Sequence, residues 1–196
     1  MPSARDNLLA AARRVVVSGE WERMPLAELA GRAGVSRQTL YKEFGNKDGL
    51  AQALSGHETE IFLTELATVL DAYPDDPVAG TRAAVAHTLR TGADDPLLKA
   101  ILSSARGPSE LLPLLTTRAE PLLESSRKLL HGYLTGHWPH LSTRDVALVA
   151  DSAIRLTVSH LVLPLAPIER TADDIATLVA RALPPEFHDQ HPHQRR

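Results

Sequence analysis

Two short helical patterns flank a glycine in residues 26–44, and this spacing constrains the fold more than any other feature of the chain. Gly34 follows the first pattern directly, as expected at a left-handed helix end, and Ser36 can cap the second helix. The sequence therefore predicts a helix-turn-helix at residues 25–44. One apolar face of its first helix is formed by Leu26, Leu29, Ala30 and Ala33.

The second helix of this pattern has an apolar face and a polar face. Leu40 and Phe44 are expected to face the first helix, which leaves a donor-rich outer surface. Base edges and phosphates in the DNA major groove accept hydrogen bonds, so this surface predicts DNA binding. We expect Arg37, Gln38 and Thr39 to read bases. The complete predicted DNA-binding set is Ser36, Arg37, Gln38, Thr39, Tyr41, Lys42 and Lys47.

Residues 2–62 resemble the N-terminal domain of the TetR family of transcriptional repressors. The resemblance implies that Tyr41 and Lys47 contact DNA phosphates. Two departures stand out: Met24-Pro25 replaces a polar helix cap, and Arg37-Gln38 occupies positions where many members carry smaller residues. The bases read therefore do not follow from the resemblance. The matching residues are Leu29-Ala30, Ala33-Gly34-Val35-Ser36, Thr39-Leu40-Tyr41, Phe44, Asn46-Lys47-Asp48 and Leu50.

Composition and charge agree with a helical DNA-binding protein. Apolar residues make up 43% of the 196 residues and aromatic residues only 4%, so the core consists mainly of Leu, Ala and Val, a mixture that favours helices. The net charge of −3 divides into +2 for residues 1–50 and −5 for the remainder. The sign of this difference fits a basic N-terminal DNA-binding region followed by an acidic domain. Without a signal segment or an apolar run of about 18–20 residues, the chain is expected to be cytoplasmic and not to enter a membrane.

The remaining helix boundaries predict an all-α fold of about nine helices with no convincing strand. An N-terminal helix-turn-helix domain at residues 2–62 precedes an effector-binding and dimerisation domain at 63–185 and a disordered tail at 186–196. Pro113 and Pro121 are expected to kink or split the seventh helix, because each removes a backbone hydrogen bond. Further predicted helices span residues 5–18, 46–73, 77–91, 109–135, 142–163 and 171–183.

The eighth predicted helix is apolar on two sides, which indicates burial on both. One side would fill the domain core, and the other, with Leu148 and Leu163, would meet a second protomer together with the ninth helix. The TetR resemblance implies the same homodimer, with helices 8 and 9 of each protomer. The alternative is that helix 8 is a central core helix of a monomer. The ninth helix would contribute Ile175, Leu178, Val179 and Ala182.

The resemblance also implies that the middle helices bind a small-molecule effector. Their side chains predict a mainly apolar ligand with few polar anchors. The candidate anchors are His87, Tyr133, Arg155 and Ser159, each of which could instead be a core or interface residue paired locally. Arg155 would pair with a ligand carboxylate or with Asp151. The expected lining is Leu89, Ile101, Leu102, Leu115, Leu122, Leu129 and Tyr133.

The run SRQTLYKEFGNKDGLAQAL is also similar to regulators found beside alkane-oxidation genes in actinobacteria. That similarity implies a fatty-acid-like or hydrocarbon ligand.

Neither catalysis nor a cofactor is expected. There is no catalytic triad spacing, no glycine-rich phosphate loop and no cysteine. His137 and His140, and the histidines of the tail, lack a rigid scaffold and predict no metal site. The sequence thus predicts a repressor released from a palindromic operator on double-stranded DNA. Two alternatives are an effector-independent architectural DNA-binding protein and a helical protein that binds a small molecule without a DNA function.

Overall fold

The computed structural model describes residues 2–103 and 111–183, and over these ranges the chain forms nine α-helices, two 3₁₀ turns and no strand. The predicted all-α class is confirmed. The tail predicted at 186–196 lies outside the described residues, as do its histidines. The helices are α1 (Ala4–Val17), α2 (Leu26–Arg32), α3 (Arg37–Phe44), α4 (Lys47–Asp71), α5 (Pro77–Asp94), α6 (Pro96–Ser103), α7 (Glu120–His137), α8 (Thr143–Val162) and α9 (Ile168–Ala182).

Packing groups the described residues into two units. The first consists of those within Met1–Glu60 and Asp94–Ala119, and the second of those within Ile61–Ala93 and Glu120–Arg196. The helix α6 belongs to the first unit, where it packs against α1. The domain boundary expected near residue 62 stays a prediction. Packing places the described residues within Asp94–Ala119 in the same unit as the N-terminal helices.

The core of the first unit is built mainly from Leu, Ala and Val side chains, many of them from α1, α2 and α3. Leu8, Leu29 and Leu40 are at most 1% exposed, and Leu97 of α6 joins the same cluster. Arg13 of α1 adds polar contacts at the edge of this core. It forms ion pairs with Glu58 of α4 at 3.2 Å and with Asp95, just before α6, at 2.6 Å. These contacts attach α6 to the N-terminal helices.

The turn between α2 and α3 has the glycine-based helix end that the sequence predicts. Gly34 has a φ of +69°, and the amide of Val35 donates to the carbonyl oxygen of Ala30 at 3.0 Å. Val35 is partly buried against the core. The Ser36 hydroxyl caps α3 by accepting from the amide of Thr39 at 3.0 Å. Asn46 caps α4 in the same way, through the amide of Gly49 at 2.8 Å.

The second unit contains the later part of α4 and helices α5, α7, α8 and α9. Its core includes Leu70, Leu134 and Val179. Prolines split the helix predicted at 109–135 as expected: Pro113 lies in a 3₁₀ turn at Leu112–Leu115, and α7 begins only at Glu120. The start predicted for α9 at residue 171 is wrong by three residues. Pro167 precedes a helix that already begins at Ile168, since a proline is tolerated at a helix start.

None of the helices within residues 2–103 and 111–183 combines the length and apolar composition of a membrane span.

Two glycines provide a matched test of the turn. Gly34→Ala should destabilise the protein by about 1–2 kcal/mol, because an L side chain is strained at this positive φ. Gly31→Ala should stabilise it by about 0.4–1 kcal/mol, since Gly31 is helical and an added Cβ meets nothing within 4 Å. Urea unfolding measures both. A shift of the same sign for both variants would contradict the assigned turn.

Candidate nucleic-acid interface

The outer surface of α3 is exposed and polar. Arg37, Gln38, Tyr41 and Lys42 follow one another at i, i+1, i+4 and i+5, so they share one helix face, and all four are exposed. Tyr41 is 46% exposed, although large aromatic side chains are usually well buried. Within the described residues, the side chains of Arg37 and Gln38 make no hydrogen bond or ion pair. This face offers donors to a partner from outside the chain.

Ser36 and Thr39 are the two predicted DNA-binding residues whose hydroxyls already have partners. Their oxygens lie 2.8 Å apart, and the Ser36 oxygen also accepts from the amide of Thr39. Both groups therefore stabilise the start of α3. They remain at the rim of the exposed face, where Ser36 is exposed and Thr39 is half-buried.

Lys47 lies at the start of α4 and is held against the 3₁₀ turn between α1 and α2. Its Nζ donates to the carbonyl oxygen of Glu22 at 3.1 Å and lies 5.4 Å from the centroid of the Trp21 ring. Sequence reasoning missed Trp21 as a contact of Lys47. No local spacing could have shown the contact, because Glu22 and Lys47 are 25 positions apart in the chain.

A second cation at this surface also lies over an aromatic ring. The guanidinium carbon of Arg5 lies 5.1 Å from the centroid of Phe44, the last residue of α3. The start of α2 shows the departure noted in the sequence: Pro25 occupies the cap position and supplies no side-chain hydrogen bond, while Met24 is buried in the core.

Three of the four predicted effector anchors are paired within the second unit or face outward from it. Tyr133 is buried and donates its hydroxyl hydrogen to the carbonyl oxygen of Tyr73 at 2.6 Å, and burial raises its pKa. Arg155 donates to Asp151 at 2.9 Å, so the local partner considered for it is the one observed. Ser159 is exposed on the same side of α8 as Arg155.

Asp151 also accepts two hydrogen bonds from Arg127 of α7, at 2.7 and 3.0 Å. The bonds from Arg127, followed by that from Arg155, lower the pKa of the Asp151 carboxyl. This carboxylate links α7 to α8. Arg155 is thus part of an ion-pair cluster.

His87 of α5 is the predicted anchor with an unsatisfied polar atom. Its Nε2 is buried and has no hydrogen-bond partner among the described residues; the nearest carboxylate oxygen, from Glu65, is 3.8 Å away. The ring stacks on Phe62 of α4, with centroids 6.0 Å apart and planes within 13°. Unsatisfied buried polar atoms are uncommon in folded proteins, which sets His87 apart from the other three anchors.

The expected effector lining divides between the two cores. Leu89, Leu129 and Tyr133 pack in the core of the second unit, whereas Ile101 packs against that of the first. The reason is that α6 lies against α1, a long-range contact that helical periodicity does not reveal.

The surface expected to form a dimer is exposed only in part. On α8, Leu148 is 55% exposed, and Leu163, which follows the helix, is 63% exposed. On α9, Leu178 is 44% exposed, but Ile175 and Val179 are buried in the core of their own unit. The expectation that these last two contact a partner is therefore wrong, because the exposed stripe of α9 does not include them.

No group of three or more potential metal ligands occurs in residues 2–103 and 111–183.

Two family models match this chain. Residues 8–54 match the model described as bacterial regulatory proteins of the tetR family. Residues 76–181 match the C-terminal domain of the bacterial tetracycline repressor. The chain belongs to the TetR family. It is a DNA-binding transcriptional regulator and not an enzyme.

Individual relatives agree with this assignment. The transcriptional regulator AlkX of Mycobacterium tuberculosis is 29% identical over 179 residues, which cover 89% of this chain and 82% of AlkX. The crystal structure of the TetR-family repressor AlkX from a Dietzia species, implicated in biodegradation of n-alkanes, has 28% identity and a TM-score of 0.74. It covers 95% of this chain and 96% of that one. The structure of RolR without ligand shares the fold, at 20% identity and a TM-score of 0.64, covering 88% and 89% of the two chains.

Proposed function

We propose that this TetR-family member is a homodimeric repressor that a small, mainly apolar effector releases from a palindromic operator. The observation that carries the proposal is the geometry of α3. Leu40 is 1% exposed and Phe44 is 9% exposed, whereas Arg37, Gln38, Tyr41 and the neighbouring Lys42 face outward. A short helix anchored on one side and donor-rich on the other fits a major groove.

Within this proposal, the residues at the start of α3 read bases and the later residues contact the DNA phosphate backbone. Arg37, Gln38 and Thr39 contact base edges, because the N-terminal residues of a recognition helix enter the groove most deeply. Tyr41, Lys42 and Lys47 contact phosphates. Ser36 belongs to the same surface through its cap of α3, which sets the direction of the first turn.

Dimerisation through α8 and α9 is supported by the exposed leucines of these helices. Leu148, Leu163 and Leu178 remain exposed although each is a large aliphatic side chain. A second protomer would bury them and would present two recognition helices to half-sites about 34–36 Å apart.

The effector would bind in the second unit, with His87 as its polar anchor. The core there is aliphatic and aromatic, and the Nε2 of His87 would gain the hydrogen bond that it lacks among the described residues. The AlkX relative implicated in n-alkane biodegradation supports a fatty-acid-like or hydrocarbon ligand.

The helix α4 contributes residues to both units and is the proposed mechanical link. A tenfold preference of the effector for the released state is worth about 1.4 kcal/mol.

Selection from a pool of random duplex DNA at two salt concentrations tests DNA recognition. Wild-type protein should enrich a palindrome with half-sites about one turn apart. Lys47→Ala should weaken binding to every sequence and reduce the slope of log K against log salt by about 0.9, since one phosphate contact is lost. Arg37→Ala should relax base preference by about 1–3 kcal/mol at one position.

Lys128→Ala is the matched control, because Lys128 is a 75% exposed lysine of the second unit. It should leave both the enriched sequence and the salt slope unchanged. Retention without enrichment would favour the architectural alternative. No retention at low salt would contradict the regulator proposal, provided that the protein carries no copurified ligand.

Leu148→Asp tests the dimer surface. A carboxylate at this 55% exposed position would be buried without a partner in the proposed interface, so the variant should sediment as a monomer where wild type is a dimer. Ile61→Asp alters a 46% exposed aliphatic residue of α4 and should leave the mass unchanged. A dimeric Leu148→Asp protein would exclude this region of α8 from the interface.

His87→Phe tests the effector anchor. Phenylalanine keeps an aromatic ring beside Phe62 but removes Nε2, so a saturated fatty acid should be needed at about tenfold higher concentration to release the selected operator. Release by an n-alkane carried on cyclodextrin should be unaffected, since an alkane has no hydrogen-bonding group. Ser159→Ala serves as the control. If neither compound releases wild-type protein, the ligand class is wrong.

A further inference from the structure

Trp21 lies beneath the cation that is proposed to hold a DNA phosphate. It begins the 3₁₀ turn Trp21–Arg23 and is only 3% exposed. The Nζ of Lys47 lies 5.4 Å from the ring centroid and also donates to the carbonyl oxygen of the next residue, Glu22, at 3.1 Å. Ring and carbonyl therefore hold the lysine head from the same short turn.

This placement offsets an unfavourable feature of Lys47. Lys47 is the first residue of α4, where the partial positive charge of the helix end disfavours a cation. The face of an aromatic ring and a carbonyl oxygen both attract a cation. They also restrict a long side chain that would otherwise lose conformational freedom on contacting a phosphate.

The other polar feature of Trp21 does not account for its presence. Its indole N–H is buried and has no hydrogen-bond partner among the described residues. A buried tryptophan usually finds a partner for this group. The contact that distinguishes Trp21 from an ordinary apolar core residue is thus the one between its ring face and Lys47, and tryptophan gives the strongest interaction of this kind.

We propose that Trp21 is a positioning residue for DNA binding, which orients Lys47 toward the phosphate backbone. This inference rests on the proposed phosphate contact of Lys47. Trp21 itself is too buried to touch DNA, so its effect on affinity must pass through the lysine.

A double-mutant cycle with a fixed operator duplex tests the proposal. Trp21→Phe should weaken binding about two- to threefold and Trp21→Leu about three- to fivefold, in the order of their attraction for a cation. Both effects should disappear in a Lys47→Ala background. Thermal melts followed by circular dichroism set a temperature at which every variant is folded, which separates affinity from stability.

Lysine side-chain NMR supplies a signal that would not change if Trp21 had only a structural role. The sequence contains only four lysines, Lys42, Lys47, Lys99 and Lys128, so the signals can be assigned by substitution. The Cε protons of Lys47 should be shifted upfield by the Trp21 ring in wild type. They should move toward the positions of the other lysines in Trp21→Leu, while Lys128 stays unchanged.

The outcomes separate this inference from the proposed function. If Lys47→Ala binds DNA as tightly as wild type, the phosphate contact itself is wrong. If Lys47→Ala weakens binding but the Trp21 variants bind normally, the positioning role is wrong. Equal losses for the Trp21 variants with and without Lys47 would mean that Trp21 only supports the fold.

Discussion

The exposed polar face of α3 depends on the burial of Leu40 and Phe44 in the core of the first unit. Residues four apart share a helix face, so burying these two side chains turns Arg37, Gln38 and Tyr41 outward. The caps and the positive φ of Gly34 allow α3 to leave α2 at the angle that this burial needs. Packing on one side of this eight-residue helix thus determines which polar side chains are exposed on its other side.

Cations around this surface are held in place by neighbouring elements of the same unit. Arg5 lies over Phe44 and Lys47 over Trp21. Arg118 donates two hydrogen bonds to the carboxylate of Asp48, at 2.8 and 3.0 Å, which lower the pKa of Asp48. Arg118 lies in the range matched by the C-terminal family model, yet it packs beside the start of α4. The described residues within 94–119 therefore place part of the second matched region in the first unit.

Predictions from the sequence succeeded where the cause is local. The cap at Ser36 and the glycine turn at Gly34 depend on residues within five positions of one another. Predictions failed where the contacts of a helix face depend on segments that are distant in the sequence. The periodicity of α9 shows that Ile175 and Val179 are apolar together, but not whether their own core or a partner covers them. Arg155 likewise could be paired with Asp151 from the sequence, but only the fold showed that Arg127 shares that carboxylate.

The sequence by itself determined the helical class, the helix-turn-helix and the family, because periodicity, caps and turn residues act over a few positions. Tertiary structure alone decided that α6 packs on α1, that Trp21 lies beneath Lys47 and that His87 keeps a buried nitrogen without a described partner. Each of these depends on which surfaces meet after the helices form. Hydrophobic burial is non-directional, so apolar patterns show that a face is covered, while shape and charge select what covers it.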